Sequence, residues 1–185
     1  MYHIPNDKRA LRSAERLSRA LQECLQTKDL SGITVSDLHQ ASGVSRATFY
    51  RLFDTVSDVV AFQCDQLYDS LAEWIRQNPD VTLRDISLEL IRRWLSLPRF
   101  METLVKNNLI GVLFQAYRRN AAKIWGLDED LRRLTEAEQT YFMCTLIGMM
   151  PVVLHAWYIN GRRDSPEEIY DYLKGSVGII NRLLN

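Results

Sequence analysis

The chain has 185 residues, in which 23 lysines and arginines balance 23 aspartates and glutamates, so its formal net charge is zero. Its composition, 46% hydrophobic and 25% charged, is that of a globular protein and excludes a disordered or fibrous chain. The three cysteines show no C-x-x-C spacing, and residues 1–30 contain no apolar core of a secretion signal. We therefore expect a cytoplasmic protein with reduced thiols, without a disulfide framework or a zinc ribbon.

Positive charge is concentrated at one end of the chain. Up to Arg51 there are eight basic and five acidic residues, an excess that favours an anionic partner for this segment only. The first predicted helix, residues 7–28, has apolar residues at helical spacing. It carries Arg9, Arg12 and Arg16 on nearly the opposite face, together with Arg19. The alternative for this stripe of arginines is an ordinary solvated face.

Two short helices joined by a tight turn are predicted next. Thr34 and Asp37 have the spacing of a capping box, which opens a helix that ends near Ser42. Gly43 can adopt the left-handed conformation that ends a helix, and Ser45 can cap the helix that follows. A helix, a turn containing glycine and a second helix together form the helix-turn-helix layout.

The remainder of the sequence also predicts helices, and it shows no strand-period alternation. Start and stop signals place these helices at residues 56–77, 82–97, 99–108, 109–125, 135–159 and 166–184. Residues 141–159 carry no formal charge, so their length alone would allow a transmembrane helix. The polar residues within this segment and its unbiased flanks favour a helix that is buried on every face, and no membrane contact.

Three neighbouring segments carry a specific motif. They are ITVSDL at 33–38, ASGVS at 41–45 and TFYRLF at 48–53. Together, through the spacing of Gly43, Ser45, Tyr50 and Phe53, they resemble the DNA-binding domain of the tetracycline-repressor (TetR) family. The strong similarity covers residues 10–60, and the remainder of the chain is similar in its helical architecture.

The resemblance implies an all-α homodimer of about nine helices. Residues 1–55 would form a three-helix helix-turn-helix DNA-binding domain, and residues 56–185 a helical ligand-binding and dimerisation domain. The implied function is a DNA-binding transcriptional regulator, most often a repressor. A small-molecule effector would release it from a palindromic operator in double-stranded DNA.

The predicted DNA contacts lie around the second helix of the motif. They are Thr34, Ser45, Arg46, Ala47, Thr48, Tyr50 and Arg51. Arg46 is suited to a bidentate contact with guanine, and the methyl groups of Ala47 and Thr48 to a thymine methyl. Thr34 and Ser45 lie at helix N-termini, where hydroxyl and N–H groups bind phosphate. The resemblance gives Tyr50 a phosphate contact, and the alternative for Tyr50 is an aromatic side chain at the edge of the core.

Two departures from the family pattern favour a second hypothesis. Relatives usually carry a lysine where this chain has Val56, and a polar residue, often histidine, where it has Leu52. A lost phosphate contact weakens affinity for DNA. The alternative function is therefore a TetR-like co-activator or interaction protein that no longer binds DNA.

An enzyme is the weakest alternative. The sequence shows no Gly-rich phosphate loop, nucleophile elbow or metal-ligand spacing, so we predict no catalytic residue, cofactor or metal. The only residue in favour of an enzyme is His155, which in an apolar helix is more often a core or interface histidine.

An effector pocket is predicted in the second domain from its aromatic and polar side chains. The candidates are Trp94, Phe100, Met101, Phe114, Tyr117, Tyr141 and Thr145. For any single one of them, an ordinary place in the core is the alternative. The effector would be a flat hydrophobic or aromatic compound.

A dimer interface is predicted along the last helix. Its apolar stripe consists of Ile169, Leu173, Val177, Ile180 and Leu184, and Gly175 and Gly178 would allow another helix to approach closely. Together with the apolar helix before it, this stripe predicts a four-helix seam between two copies. The alternative is that the stripe covers the core of its own domain.

Overall fold

The computed structural model describes residues 2–125 and 133–184, which fold into helices. Within these ranges there are nine α-helices, one short 3₁₀ helix at Leu30–Gly32, and no strand. The α-helices are α1 (Lys8–Cys24), α2 (Val35–Ser42), α3 (Arg46–Leu52), α4 (Val56–Gln77), α5 (Leu83–Leu95), α6 (Pro98–Lys106), α7 (Ile110–Trp125), α8 (Glu136–Ile159) and α9 (Pro166–Leu184). The predicted all-α class is confirmed.

Most helices begin where the sequence predicts, because short-range capping fixes their first turns. Asp7 caps α1 by accepting from the backbone N–H groups of Arg9 and Ala10. Reciprocal capping boxes open further helices, among them α4 through Thr55 and Asp58. The other boxes are formed by Thr34 with Asp37, Thr82 with Asp85, Thr135 with Glu138, and Ser165 with Glu168.

The first helix is shorter than predicted. It ends at Cys24 and not near Lys28, because the amides of Thr27 and Lys28 both donate to the carbonyl of Cys24, at 3.1 and 3.0 Å. These bonds turn the chain out of the helix and toward the 3₁₀ helix. A periodic apolar pattern does not report such a turn, since Leu25 is buried just beyond the end of the helix.

Helices α1, α2 and α3 form a small three-helix unit, which we call the head. Its core consists of fully buried side chains, among them Leu17, Leu21, Leu38, Phe49, Leu52 and Phe53. The chain turns between α2 and α3 at Gly43, which has a φ of +65° and ends α2 as predicted. The guanidinium of Arg16 on α1 donates to the carbonyl of Ser42 at 2.5 Å, so α1 also fixes this turn.

Helix α4 connects the head to the remaining helices, which we call the body. Val59 and Val60 at its start are fully buried and belong to the same hydrophobic cluster as the head core. Further along, α4 packs most extensively against α7 and also contacts α5. One continuous core therefore runs from the head into the body, and the predicted boundary at 55/56 coincides with the cap of α4 at Thr55.

The outer surface of α8 and α9 is apolar. Large exposed hydrophobic side chains on these two helices are Tyr141, Phe142, Val152, Tyr158, Ile159, Tyr172, Val177, Ile179 and Leu183. Helix α8 packs against α6 and α7, and α9 packs against α5. In the part of the chain that the structure describes, no helix has the length and apolar character that crossing a membrane requires.

Candidate nucleic-acid interface

Helix α3 has one buried and one exposed side. Phe49 and Leu52 are buried in the head core, whereas Arg46, Ala47 and Arg51 are exposed on the opposite side. Ser45 caps the helix as predicted, and its hydroxyl oxygen accepts from the backbone N–H of Thr48 at 3.2 Å. The first turn of α3 thus lies at the surface, as reading base edges in a major groove requires.

The side chain of Arg46 is held by a partner that the sequence analysis did not identify. Its guanidinium donates to the hydroxyl of Ser36 on α2 at 2.7 Å. Since a guanidinium carries five N–H donors, this bond leaves donors for a bidentate contact while limiting the positions of the side chain. Ser36 is therefore a positioning residue for Arg46. The ten-residue separation of the two gives no local signal in the sequence.

Tyr50 lies at the edge of the head with most of its ring in solvent. Its side chain is 60% exposed, and its ring meets that of Phe49 edge-on with centroids 5.4 Å apart. Tyr50 and the next residue, Arg51, are both exposed near the end of α3. This placement suits a phosphate contact, because the exposed phenol can donate to a phosphate oxygen while Phe49 stays in the head core.

The N-terminus of α2 already holds a carboxylate. The hydroxyl of Thr34 donates to Asp37 at 2.8 Å, and Lys28 donates to the same carboxyl group at 2.7 Å. The bond from Lys28, followed by that from the backbone of Thr34, lowers the pKa of Asp37 to about 2. A phosphate that approaches Thr34 would therefore meet a charged carboxylate, which Lys28 neutralises.

The two residues that depart from the TetR pattern lie partly or wholly in the core. Leu52 is fully buried, and the side chain of Val56 at the start of α4 is half-buried against the same cluster. Leu52 has no surface with which to contact DNA, so its apolar character follows from packing.

The predicted effector residues are divided among different environments. Trp94, Phe100, Met101 and Tyr117 are buried, and Phe114 is half-buried. Tyr141 and Thr145 are exposed on α8, with Tyr141 74% exposed. The role of these seven residues as an effector pocket stays a prediction.

A cavity of about 210 Å³ lies between α6 and α8, and we call it the α6–α8 cavity. It is lined by Pro98, Met101, Glu102, Val105, Lys106, His155, Trp157 and Tyr158. Met101 is the one predicted effector residue among them. His155, for which we favoured a core or interface position, is exposed and faces this cavity.

The stripe on α9 changes character along the helix. Ile169 is buried and Leu173 half-buried against the core of their own chain, whereas Val177 is 51% exposed. The side chains of Ile180 and Leu184 lie outside the described part of the structure. The first turns of α9 therefore cover the core of their own chain. Among the stripe residues whose side chains the structure describes, Val177 is the one that is exposed and available to a second copy.

A buried polar cluster at the junction of head and body was not predicted. The ring of Tyr2 packs against Phe53 and Phe62, with centroids 6.1 and 5.7 Å away, and its hydroxyl donates to Asp65. The guanidinium of Arg119 on α7 donates to the same carboxylate at 2.7 Å. Burial and the bond to Asp65 raise the pKa of Tyr2. This cluster joins the first residues of the chain to α4 and α7.

Comparison with solved structures shows a shared fold. Lin0861 from Listeria innocua has a TM-score of 0.78 at 14% identity and covers 96% of each chain. The dihydroxyacetone kinase operon activator DhaS has a TM-score of 0.59 at 18% identity, over 94% of this chain and 95% of that one. A TetR transcriptional regulator from Streptococcus agalactiae has a TM-score of 0.54 at 18% identity, over 88% and 91%.

The predicted resemblance to TetR regulators is thereby confirmed at the level of the fold. No family model and no curated protein matches the sequence. At identities of 18% or less, the likeness to these structures concerns the path of the chain and not its binding partners.

Proposed function

We propose that this chain is a homodimeric, cytoplasmic transcriptional regulator that binds double-stranded DNA through α3. The observation that carries the proposal is the exposed side of α3, with Arg46 in its first turn and Tyr50 and Arg51 near its end. The opposite side of the same helix is anchored in the head core through Phe49. Two of the solved structures that share the fold are named as regulators of gene expression. Residues 1–55 form the DNA-binding domain, and residues 56–185 form the regulatory domain.

Within this proposal, the side chains of α3 have different tasks. Arg46, positioned by Ser36, reads a guanine, and Ala47 and Thr48 meet thymine methyl groups. Tyr50, Arg51 and the capping hydroxyl of Ser45 hold phosphates, which position the head without reading sequence. Thr34, at the N-terminus of α2, contributes a weaker phosphate contact because it already bonds to the carboxylate of Asp37.

Dimerisation places two copies of α3 at the spacing that DNA requires. A second copy covers the exposed apolar side chains of α8 and α9, because hydrophobic groups such as Val152 and Ile179 are removed from water at such a seam. Two heads related by a two-fold axis read the two halves of a palindrome about 10 base pairs apart.

An effector controls this dimer by binding the body. A ligand shifts a conformational equilibrium only when its affinity differs between the two states. Helix α4 transmits the conformational change to the head, since it begins at Val56, shortly after α3 ends at Leu52, and packs against α7 in the body. We expect effector binding to lower the affinity for the operator, as in a repressor, while the name of DhaS shows that a protein of this fold is also called an activator.

A second candidate function is an interaction protein or co-activator that does not bind DNA. The observation in its favour is the valine, and not a cation, at position 56, combined with the carboxylate of Asp37 at the N-terminus of α2. Both features reduce the attraction of the head for phosphate.

Selection of genomic DNA fragments with the purified full chain, at low salt, distinguishes the two functions. We expect an enriched palindrome, and Arg46→Ala should weaken binding to it by roughly 1–3 kcal/mol per half-site. Arg76→Ala, at the exposed far end of α4, is the matched control and should bind like wild type. If no fragment is enriched, or if Arg46→Ala binds as tightly as wild type, the proposed use of α3 is wrong.

A further inference from the structure

The α6–α8 cavity has the size and walls of a binding site for a small ring compound. Its volume is about 210 Å³, and an apolar protein cavity of roughly 150 Å³ is enough to hold benzene. Met101 and Val105 of α6 form one wall, and the aromatic rings of Trp157 and Tyr158 form the other. A flat ring between these walls would contact apolar atoms on both faces.

The walls of the cavity are held in place by contacts outside it. The indole N–H of Trp157 donates to the carbonyl of Asp164 at 3.0 Å, which fixes the ring against the turn after α8. The guanidinium of Arg162 lies over the rings of Trp157 and Tyr158, with its central carbon 5.9 and 5.0 Å from their centroids. The aromatic wall is therefore preorganised, which lowers the cost of binding.

The polar side chains at the cavity leave hydrogen-bond donors in excess. Glu102 accepts from Lys106 at 2.8 Å through one carboxylate oxygen and from Arg99 at 3.2 Å through the other. An ammonium group has three N–H donors, so Lys106 can also donate to a ligand, and the imidazole of His155 lines the same space. A ligand with acceptor oxygens matches this arrangement.

The charges around the cavity favour an anion. Lys106, Arg99 and Arg162 are positive, and Glu102 is negative. Lys106 has a raised pKa because it bonds to Glu102, with a smaller contribution from the carboxylate of Asp29 in the head. With Asp29 included, these groups carry one net positive charge.

We propose that the α6–α8 cavity binds a small aromatic carboxylate, with its ring between the two helices and its carboxylate at Lys106 and His155. The identification of this ligand as the effector rests on the proposed function. A carboxylate at Lys106 competes with Glu102 for the same ammonium, so its binding alters the ion pair that Lys106 makes within α6.

Calorimetric titration of the full chain with benzoate, benzyl alcohol and benzylamine tests the site, because the three probes share a ring and differ in charge. We expect benzoate to bind about tenfold more tightly than benzyl alcohol, as a charge-assisted bond to Lys106 would give, and benzylamine to bind most weakly. Equal affinities for benzoate and benzylamine, or no binding of benzoate at millimolar concentration, would overturn the proposal.

Two variants locate the ligand. Lys106→Met should remove the preference for benzoate over benzyl alcohol, and Val105→Trp should fill the cavity and abolish binding of all three probes. Lys8→Met, at an exposed lysine of the head, is the matched control and should leave all affinities unchanged. If Val105→Trp folds with a wild-type circular dichroism spectrum and still binds benzoate, the ligand binds elsewhere.

The same proteins separate this proposal from the proposed function. Binding to a selected DNA fragment is measured by wild type alone, and then with saturating benzoate. If DNA is bound and benzoate is not, the cavity proposal fails and the regulator stands. If benzoate is bound and no DNA is, the cavity stands and its ligand is not the effector of a DNA-binding regulator. We expect DNA binding that benzoate weakens in wild type and not in Val105→Trp.

Discussion

The head and the α8–α9 pair use similar apolar residues in opposite ways. In the head, Leu17, Leu38 and Phe49 are almost completely buried within a single chain. On α8 and α9, Val152 and Leu183 are 69% and 79% exposed, although their helices are equally regular. The head buries its apolar side chains within one chain. The last two helices instead leave an apolar surface in contact with water unless another surface covers it.

The largest expected effect is on the stability of the head. Phe49→Ala removes a fully buried ring and should lower the free energy of unfolding by about 3–5 kcal/mol. Leu183→Ala removes an exposed side chain and should change the stability of a monomer by less than about 0.5 kcal/mol. Urea denaturation at two protein concentrations measures both. A Leu183→Ala effect that grows with protein concentration would show that this residue is covered by a second copy.

This contrast also shows what could be predicted from the sequence. Start signals span three or four residues, so the capping box of Thr34 with Asp37 and the cap at Ser45 are readable along the chain, and the structure confirms them. Helical periodicity reveals that a face is apolar but not what covers it. For that reason Ile169 and Val177 belong to one predicted stripe and occupy different environments.

The parts of the site that could not be predicted join residues far apart in the sequence. The bond from Tyr2 to Asp65 spans 63 positions, and the bond from Arg119 to Asp65 spans 54. The α6–α8 cavity likewise depends on how two helices meet, and neither helix alone distinguishes Met101 or His155 from core residues. Such contacts follow from tertiary packing, which local patterns do not encode.

Charges placed on the apolar surface of α8 and α9 should produce the next largest effect. Val177→Glu with Ile179→Glu introduces two carboxylates into the proposed seam, and an unpaired charge removed from water is strongly unfavourable. We expect the dimer dissociation constant to rise by at least about a hundredfold, or roughly 2.7 kcal/mol. Light scattering across a concentration series measures it.

A control places the same charge on the head. Leu11→Glu replaces another exposed hydrophobic residue, which is 44% exposed on α1, and should leave the oligomeric state unchanged. If the wild-type chain is already a monomer at micromolar concentration, or if the double variant remains a dimer, the α8–α9 surface is not the seam.

The turn of the helix-turn-helix should show an intermediate effect. Gly43→Ala places a side chain at φ +65°, and its Cβ would lie 2.9 Å from the Arg16 guanidinium, which must then move from the carbonyl of Ser42. We expect a loss of about 1–2 kcal/mol in the free energy of unfolding. Gly32→Ala is the control, because a Cβ there meets no atom within 4 Å and its φ is not positive. Equal effects of the two substitutions in urea denaturation would contradict this account of the turn.

The smallest expected effect concerns acid pH and the first turn of α2. Because the bonds from Lys28 and Thr34 hold the pKa of Asp37 at about 2, below its ordinary value of 3.8, the folded head favours the charged carboxylate. The stability that this carboxylate contributes is fully present above pH 3.8 and is lost as the pH falls toward 2. Titration of the Asp37 carboxyl carbon by NMR measures the pKa directly.

Two variants show whether Lys28 is the cause of this low pKa. Lys28→Met removes the strongest of the contacts that lower it, so the pKa of Asp37 should rise toward its ordinary value. Lys8→Met, an equal change of charge at an exposed position on α1, should leave that pKa in place. An unchanged pKa in Lys28→Met would mean that the backbone of Thr34 alone stabilises the carboxylate. The low pKa of Asp37 would then come from its own capping box alone, without the charge of Lys28 from the segment that follows α1.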